Sequence, residues 1–293
     1  MNFVDGLENV INGNDLPITT FYNFFVLGHR LTLSPSWNGE RLKRLPSNWD
    51  MVRAKKYLRR LEDRKTLVMD TDFWSGVWRV TQSTRAGSAE EISCIADPFA
   101  YVSHLSAMQR YGLTDRSPQA LHLTTPIHSL WKNFRDERIR LDFPDAPKME
   151  LPVLARPGFK DTIRRRRVVV HISSHPWIPS PLSGEETRIT SIGQTFADML
   201  REPHLCGGMR HVLDVWEQEA DQWVPEIVAA IGAQGSKIVK VRAGYILSEV
   251  IGIDHPALLE WERFAQRGGS RKLDPEADYA PEFSERWMIS INV

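Results

Sequence analysis

The stretch Ser47-Asn48-Trp49-Asp50-Met51-Val52-Arg53-Ala54-Lys55-Lys56-Tyr57-Leu58-Arg59-Arg60-Leu61-Glu62-Asp63-Arg64, with Thr66-Leu67-Val68-Met69-Asp70 and Val77-Trp78-Arg79-Val80-Thr81 after it, decides the fold of the N-terminal part. Ser47 to Asp50 offer a polar cap and an acid in the first turn, and no Gly or Pro interrupts residues 49 to 64, so this segment reads as a helix. Met51, Ala54, Leu58 and Leu61 recur at three-and-four spacing and form the packing face. Arg53, Lys56, Arg60 and Arg64 form a second face, with Lys55 and Arg59 beside them. The two β-branched and aromatic runs that follow, joined across Thr71 to Gly76, read as an antiparallel hairpin.

A solvated face is the ordinary fate of a charged helix face. Here the charge is locally concentrated: Arg41 to Lys65 carries ten basic residues against three acidic ones, in a chain with 37 of each. A basic helix running straight into a two-stranded ribbon is the order of winged helix-turn-helix domains, where the helix enters the major groove and the ribbon flanks it. The expectation is therefore an interface with double-stranded DNA made by Arg53, Lys55, Lys56, Arg59, Arg60 and Arg64, with Trp74 in the wing.

Working back from this helix, Phe3, Leu7, Val10 and Ile11 predict a first helix stopped at Gly13, and Thr20 to Leu27 a second. Gly28 to Pro46 reads as loop or short extended structure. Working forward, Thr81 to Ser93 reads as a linker, which divides the chain into a DNA-binding domain over 1–85 and a second domain over 90–293. In the second domain Asp97-Pro98 predicts the start of a helix over Phe99–Tyr111, closed by Gly112. Leu121 to Thr125 and Val168 to Ile172 read as strands, the latter preceded by a second basic patch, Arg164-Arg165-Arg166-Arg167, open to DNA or an acidic partner. Ser191 and Gln194 form a capping box ahead of the stripe Ile192, Phe196, Met199 and Leu200. Further helices are expected at 209–221, 225–232, 236–250 and 255–266, and a closing strand over 286–293. Strands before helices favour an α+β class: a winged helix-turn-helix followed by a larger mixed α+β domain.

The sequence suggests no chemistry. Cys94 and Cys206 are the only cysteines, too few for a disulfide framework or a four-cysteine zinc site. His171 and His175 lack carboxylate or thiol company at ligand spacing. Ser103-His104 falls within the predicted helix, where neighbours diverge, so it is not read as a nucleophile and base. Gly207-Gly208 fits a turn, and Glu217, Glu219 and Asp221 fit a solvated helix face. No catalytic residue, metal or cofactor is assigned. The start of the chain has no export signal and no run of 18 apolar residues occurs, so a cytoplasmic protein without membrane contact is expected. The competing expectation is a DNA-targeted enzyme, a nuclease or hydrolase, with its active site within 90–293.

Tyr101-Val102-Ser103-His104-Leu105-Ser106-Ala107-Met108-Gln109-Arg110-Tyr111-Gly112-Leu113-Thr114 resembles the "YVSHLSAL…HGLT" signature of the AbiEi-type antitoxins of type IV toxin–antitoxin systems. Thr190 to Leu200 with Gly207-Gly208 looks like that family's "TSLERTLLDLL…GG", and Val241 to Glu249 looks like its "RRLGYLLE". The resemblance spans about residues 48 to 252. Gln194 stands where the family has an arginine, and Gly28 to Pro46 looks inserted. The resemblance implies an N-terminal winged helix that represses its own operon at an inverted repeat, and a C-terminal domain that counters a nucleotidyltransferase-like toxin, neither role catalytic.

Overall fold

The computed structural model describes residues 1–144, 151–266 and 271–293. Its chain divides into two compact units, Met1–Tyr101 with Gln119–Arg188, and Val102–Pro118 with Ile189–Val293. The protein is of mixed α+β class.

The first unit opens with α1 (Phe3–Gly13), β1 (Ile18–Thr20), α2 (Phe21–Leu33), β2 (Ser36–Trp37), β3 (Glu40–Arg41), α3 (Met51–Asp63), β4 (Leu67–Met69), β5 (Val77–Val80) and α4 (Ala89–Ala96). A capping box starts α1: Asn2 accepts from the backbone of Val4 and Asp5, and Asp5 accepts from the backbone of Asn2. Thr20 caps α2 by accepting from the Asn23 amide. β1 and β4 both pair antiparallel with β5, giving the sheet order β1-β5-β4. The chain continues through β6 (Tyr101–Val102) and α5 (His104–Arg110), which belongs to the second unit, and returns to the first with β7 (Ala120–Pro126), α6 (His128–Asp142), β8 (Thr162–Ile163) and β9 (Arg166–Ser173). β7 runs parallel to β9, and β8 antiparallel to it.

The core of this unit is aromatic. Trp49, buried just before α3, meets Phe3, Phe24, Phe25 and Tyr57 at ring-centroid distances of 5.6, 6.1, 5.8 and 5.7 Å, and its Nε1 donates to the Phe25 carbonyl at 2.9 Å. α2 approaches so closely that a β-carbon at Gly28 would collide with the Trp49 ring. Trp131, Phe143 and Leu154 complete the same core, with Phe143 packed on Phe25 at 5.8 Å and on Tyr22 at 6.3 Å.

The second unit contains α5, α7 (Ile192–Arg201), α8 (Met209–Glu219), α9 (Val224–Ala233), α10 (Lys237–Tyr245), α11 (Pro256–Glu262) and the hairpin β10 (Phe283–Ser284) with β11 (Ile289–Ser290). Phe196, Met199, Trp216, Ile227 and Trp287 are fully buried at its centre. Arg242, inside α10, is buried as well. Its guanidinium donates to the carbonyls of Leu200 and Lys272, and burial pulls its pKa down to about 10.

Several expectations differ from this arrangement. The boundary near 85–90 is displaced: residues 1–85 share their core with Trp131, Phe143 and Leu154, so the strands at 120–173 belong to the first unit and the second is predominantly helical. The stretch 81–93 is not wholly linker, because α4 begins at Ala89 under a Ser88 cap. The helix expected over Phe99–Tyr111 begins only at His104. Asp97 does cap locally, accepting from the Phe99 amide, but its carboxylate also accepts from Thr125 and Trp131; residues 97–100 close as a turn, the Ala100 amide donating to the Asp97 carbonyl, and Tyr101–Val102 follow as strand. Gly28 to Leu33 continue α2 rather than forming loop. Ser191 accepts from the Gln194 amide as expected, but the Gln194 side chain turns to Asp198, so the box is half-made.

A fragment ending at residue 85 exposes the core faces that Trp131, Phe143 and Leu154 cover. Losing even one such side chain costs about 1.5–3 kcal/mol. We expect amide-hydrogen exchange in α2 and α3 of this fragment to be at least about tenfold faster than in the full chain; equal protection would restore the boundary near 85.

Candidate nucleic-acid interface

α3 is tightly terminated at both ends. Asp50 accepts from the Arg53 amide at 2.8 Å, and the helix closes in a Schellman motif, with the Thr66 amide donating to Leu61 and the Lys65 amide to Glu62. Lys65 takes the left-handed position that glycine usually fills, with φ +62°. Ala54, Leu58 and Leu61 are buried, and Lys55, Lys56, Arg59 and Arg60 are exposed on the other side. Among the described residues, none of these four cations has an ion-pair partner. Arg60 lies over the Tyr57 ring at 5.1 Å.

The other two expected contacts are engaged by partners within the chain. Arg53 is half-buried and donates to the Asn48 carbonyl at 3.0 Å. Arg64 donates to Glu8 at 2.7 Å and to Asp5 at 3.0 Å, and these hydrogen bonds raise its pKa. Its charge is neutralised by α1. A residue not expected from sequence joins the face instead: Arg44, at φ +57°, helps line a recess of about 450 Å³ with Tyr57, Arg60 and Arg64. Sequence pattern gives no signal for Arg44 because it lies in a loop without periodicity.

The hairpin β4–β5 is not an isolated wing. Asp70, at the end of β4, is fully buried. Arg164 donates to it at 2.9 Å and also pairs with Asp72, while the Arg164 amide donates to Asp72 at 2.9 Å. Burial alone would raise the Asp70 pKa; the hydrogen bonds from Arg164 and the Asp72 amide and the charges of Arg164 and Arg79 bring it below the ordinary value. At the hairpin tip, Phe73 bridges to Phe159, Lys160 Nζ donates to the Thr71 carbonyl at 2.6 Å and lies 5.2 Å from the Trp74 ring, and the Trp74 ring itself is exposed.

The run Arg164 to Arg167 is therefore not one patch. Arg164 is bound to Asp70 and Asp72, and Arg166 to Glu90, leaving Arg165 and Arg167 exposed without an ion pair among the described residues. A recess of about 430 Å³ elsewhere in the first unit is also rich in arginine, but its charges are used internally. Arg30 and Arg138 both pair with Asp142, and Arg188 closes the C-terminal end of α4 by donating to the carbonyls of Cys94, Asp97 and Ala100.

In the second unit Ser103 and His104 do meet, contrary to expectation. Ser103 is extended at φ −144° and ψ 176° rather than helical, and His104 begins α5 with φ +51°, so the side chains converge. Ser103 Oγ lies 2.8 Å from His104 Nδ1, and His104 Nε2 lies 3.1 Å from Glu202 Oε2. This is the order of a nucleophilic relay. The hydroxyl, however, is 0% exposed, and the line ties the start of α5 to the end of α7. His171 does not work with His175; its Nε2 lies 3.0 Å from Nδ1 of His122 on the neighbouring strand, the two rings parallel. No group of three or more metal-ligating side chains occurs among the described residues, and none of their helices is long and apolar enough to cross a membrane.

Arg164→Ala would leave Asp70 buried without its main cation. Removing one partner of a buried pair costs about 3–5 kcal/mol; Arg164 is 24% exposed, so about 2–3 kcal/mol is expected in denaturant unfolding at neutral pH. Because the folded Asp70 pKa is depressed, this contribution exists above the ordinary carboxylate value of about 3.9 and is lost as pH falls through the folded one. The variant and the parent should converge in stability at acid pH. Equal stability at pH 7 would remove the pair from its structural role.

No family model matches the chain, and no curated protein matches it. Among solved structures it is similar to the crystal structure of the RV2827C protein from Mycobacterium tuberculosis, with a TM-score of 0.46 and 12% sequence identity over 98% of this chain and 90% of that one. That degree of likeness assigns neither family nor activity.

Proposed function

We propose that this protein is a cytoplasmic, DNA-binding antitoxin of the type IV toxin–antitoxin class, which represses its own operon through an N-terminal winged helix and counters a nucleotidyltransferase-like toxin. One observation carries the DNA reading: Lys55, Lys56, Arg59 and Arg60 stand exposed on a well-capped helix with no carboxylate partner among the described residues. Unpaired cations on a rigid helix are suited to phosphates and to the major-groove edge of guanine. The element order supports the same reading. Apart from the short β2–β3 hairpin inserted between α2 and α3, the order helix, strand, two helices and hairpin, with β1 paired to β5, matches a winged helix-turn-helix with α3 in the place of the recognition helix. The antitoxin part rests on the three sequence blocks that resemble the AbiEi type.

The test is retardation of a duplex from the region upstream of the gene. Reversing Lys55, Lys56, Arg59 and Arg60 to Glu should weaken binding by at least about 100-fold at physiological salt, since each lost phosphate contact lowers the salt slope by about 0.9. The far-UV circular dichroism should not change. Retained affinity would overturn the assignment of α3, and cleavage of the bound duplex in magnesium or manganese would favour a DNA-targeted enzyme instead. For the antitoxin part, co-expression should relieve the growth arrest caused by a neighbouring nucleotidyltransferase gene; persistent arrest would overturn it.

A further inference from the structure

Trp74 raises a question that the hairpin does not answer. Trp74 is 73% exposed, yet it has neighbours from the later segment: Lys160 stands 5.2 Å from the ring, the Trp74 amide reaches the Gly158 carbonyl at 3.4 Å, and a β-carbon on Gly158 would come within 2.9 Å of Trp74 Cδ1. A large apolar ring left in water is suited to an external contact. Lys160 has three donors and gives one to Thr71, so two remain for a ligand.

The turn between β8 and β9 adds a second, independent observation. Its two loop residues are Arg164 at φ +49° and Arg165 at φ +63°. A two-residue hairpin loop with both φ values positive ordinarily carries Asn-Gly or Asp-Gly, because other side chains are strained there. For Arg164 the strain is offset by its clamp on Asp70 and Asp72. Arg165 has no ion pair among the described residues and projects into solvent, as does Arg167. An arginine kept in a glycine position with nothing inside the fold to hold points outward.

We infer that the DNA-contacting surface continues from the hairpin tip onto Lys160, Arg165 and Arg167, so that a segment more than eighty positions downstream grips the phosphate backbone of duplex DNA beside Trp74. This inference rests on the DNA reading of α3. Duplex DNA is the partner that fits, because the segment offers Lys160 against the Trp74 ring and Arg165 and Arg167 exposed on the adjoining turn and strand, and the Asp72 and Glu90 carboxylates are already occupied by Arg164 and Arg166. The clamp on Asp70 and the lysine on Thr71 set the tip in place before any ligand arrives.

The experiment uses the full chain and the same upstream duplex, with binding followed by fluorescence anisotropy from 50 to 200 mM salt. Replacing Lys160, Arg165 and Arg167 together by Ala should lower the slope of log affinity against log salt by about 2.7, at about 0.9 per lost phosphate contact, and weaken binding at least tenfold. Arg165→Gly separates contact from fold: the slope should fall by about 0.9 while the thermal midpoint does not fall, since glycine accepts the positive φ. If the parent binds and both variants keep its slope and affinity, the proposal is overturned and the tip belongs to some other partner. Should the parent itself fail to bind the duplex, the α3 reading falls and this one with it.

Discussion

The position of α3 depends on the indole of Trp49. A helix of 13 residues with five cations and three buried side chains would not persist alone, since isolated helices of this length are marginal even in favourable sequences. Leu58 and Leu61 contribute about 1.5–3 kcal/mol each by burial, and like charges at neighbouring turns oppose them. Trp49 supplies the rest of the anchorage: it lies one residue before the Asp50 cap and is packed on rings from α1, α2 and α3 itself. Its Nε1 hydrogen bond to Phe25 fixes the ring's orientation as well as its depth. Once that side of the helix is committed to the core, Lys55, Lys56, Arg59 and Arg60 have only solvent to face.

The hairpin has the same dependence on distant residues. Two short strands are marginal in water. β5 gains a third strand from β1, and the turn gains its order from Arg164, Lys160 and Phe159, all of which arrive after the chain has left this unit for α5 and come back. Hairpin and clamp are therefore one folding unit although they are remote in sequence. This explains why the compact unit is discontinuous, and why a boundary drawn where composition turns small and polar, at 81–93, separates residues that pack together.

Where local chemistry determined the structure, it was legible. The capped amphipathic helices at 3–13 and 51–63, the hairpin after the second, and the β-branched strand at 166–173 follow from spacing, caps and β-branching at those positions. The misreadings occur where a long-range partner prevailed over a local signal. Asp97-Pro98 is a good helix start, but Thr125 and Trp131 claim the carboxylate and delay the helix to His104. α6 has one buried residue, Trp131, and a mostly charged surface, so it carries almost no apolar period. The helix face at 49–64 was legible as a cationic surface, but which cations remain available was not: Arg64 is taken by Asp5 and Glu8, more than fifty positions away, while Arg44 enters from a loop.

The same distinction bears on the charge balance. Lysine and arginine equal aspartate and glutamate over the whole chain, so no net charge draws a polyanion in from afar, and the fields of local clusters are screened beyond a Debye length of about 8 Å. Attraction has to come from cations whose own carboxylates are too far away to screen them. The fold sorts the arginines and lysines into two groups by that criterion. Arg53, Arg64, Arg164 and Arg166 are bound by carbonyls or carboxylates within the fold; Lys55, Lys56, Arg59, Arg60, Arg165 and Arg167 are left exposed without ion pairs among the described residues. A surface of this kind attracts phosphate only when the ligand is already in register with it. Under the proposed function, that places most of the binding energy in the docked complex rather than in long-range capture, a suitable property for a repressor that has to distinguish one site from the rest of a uniformly charged polymer.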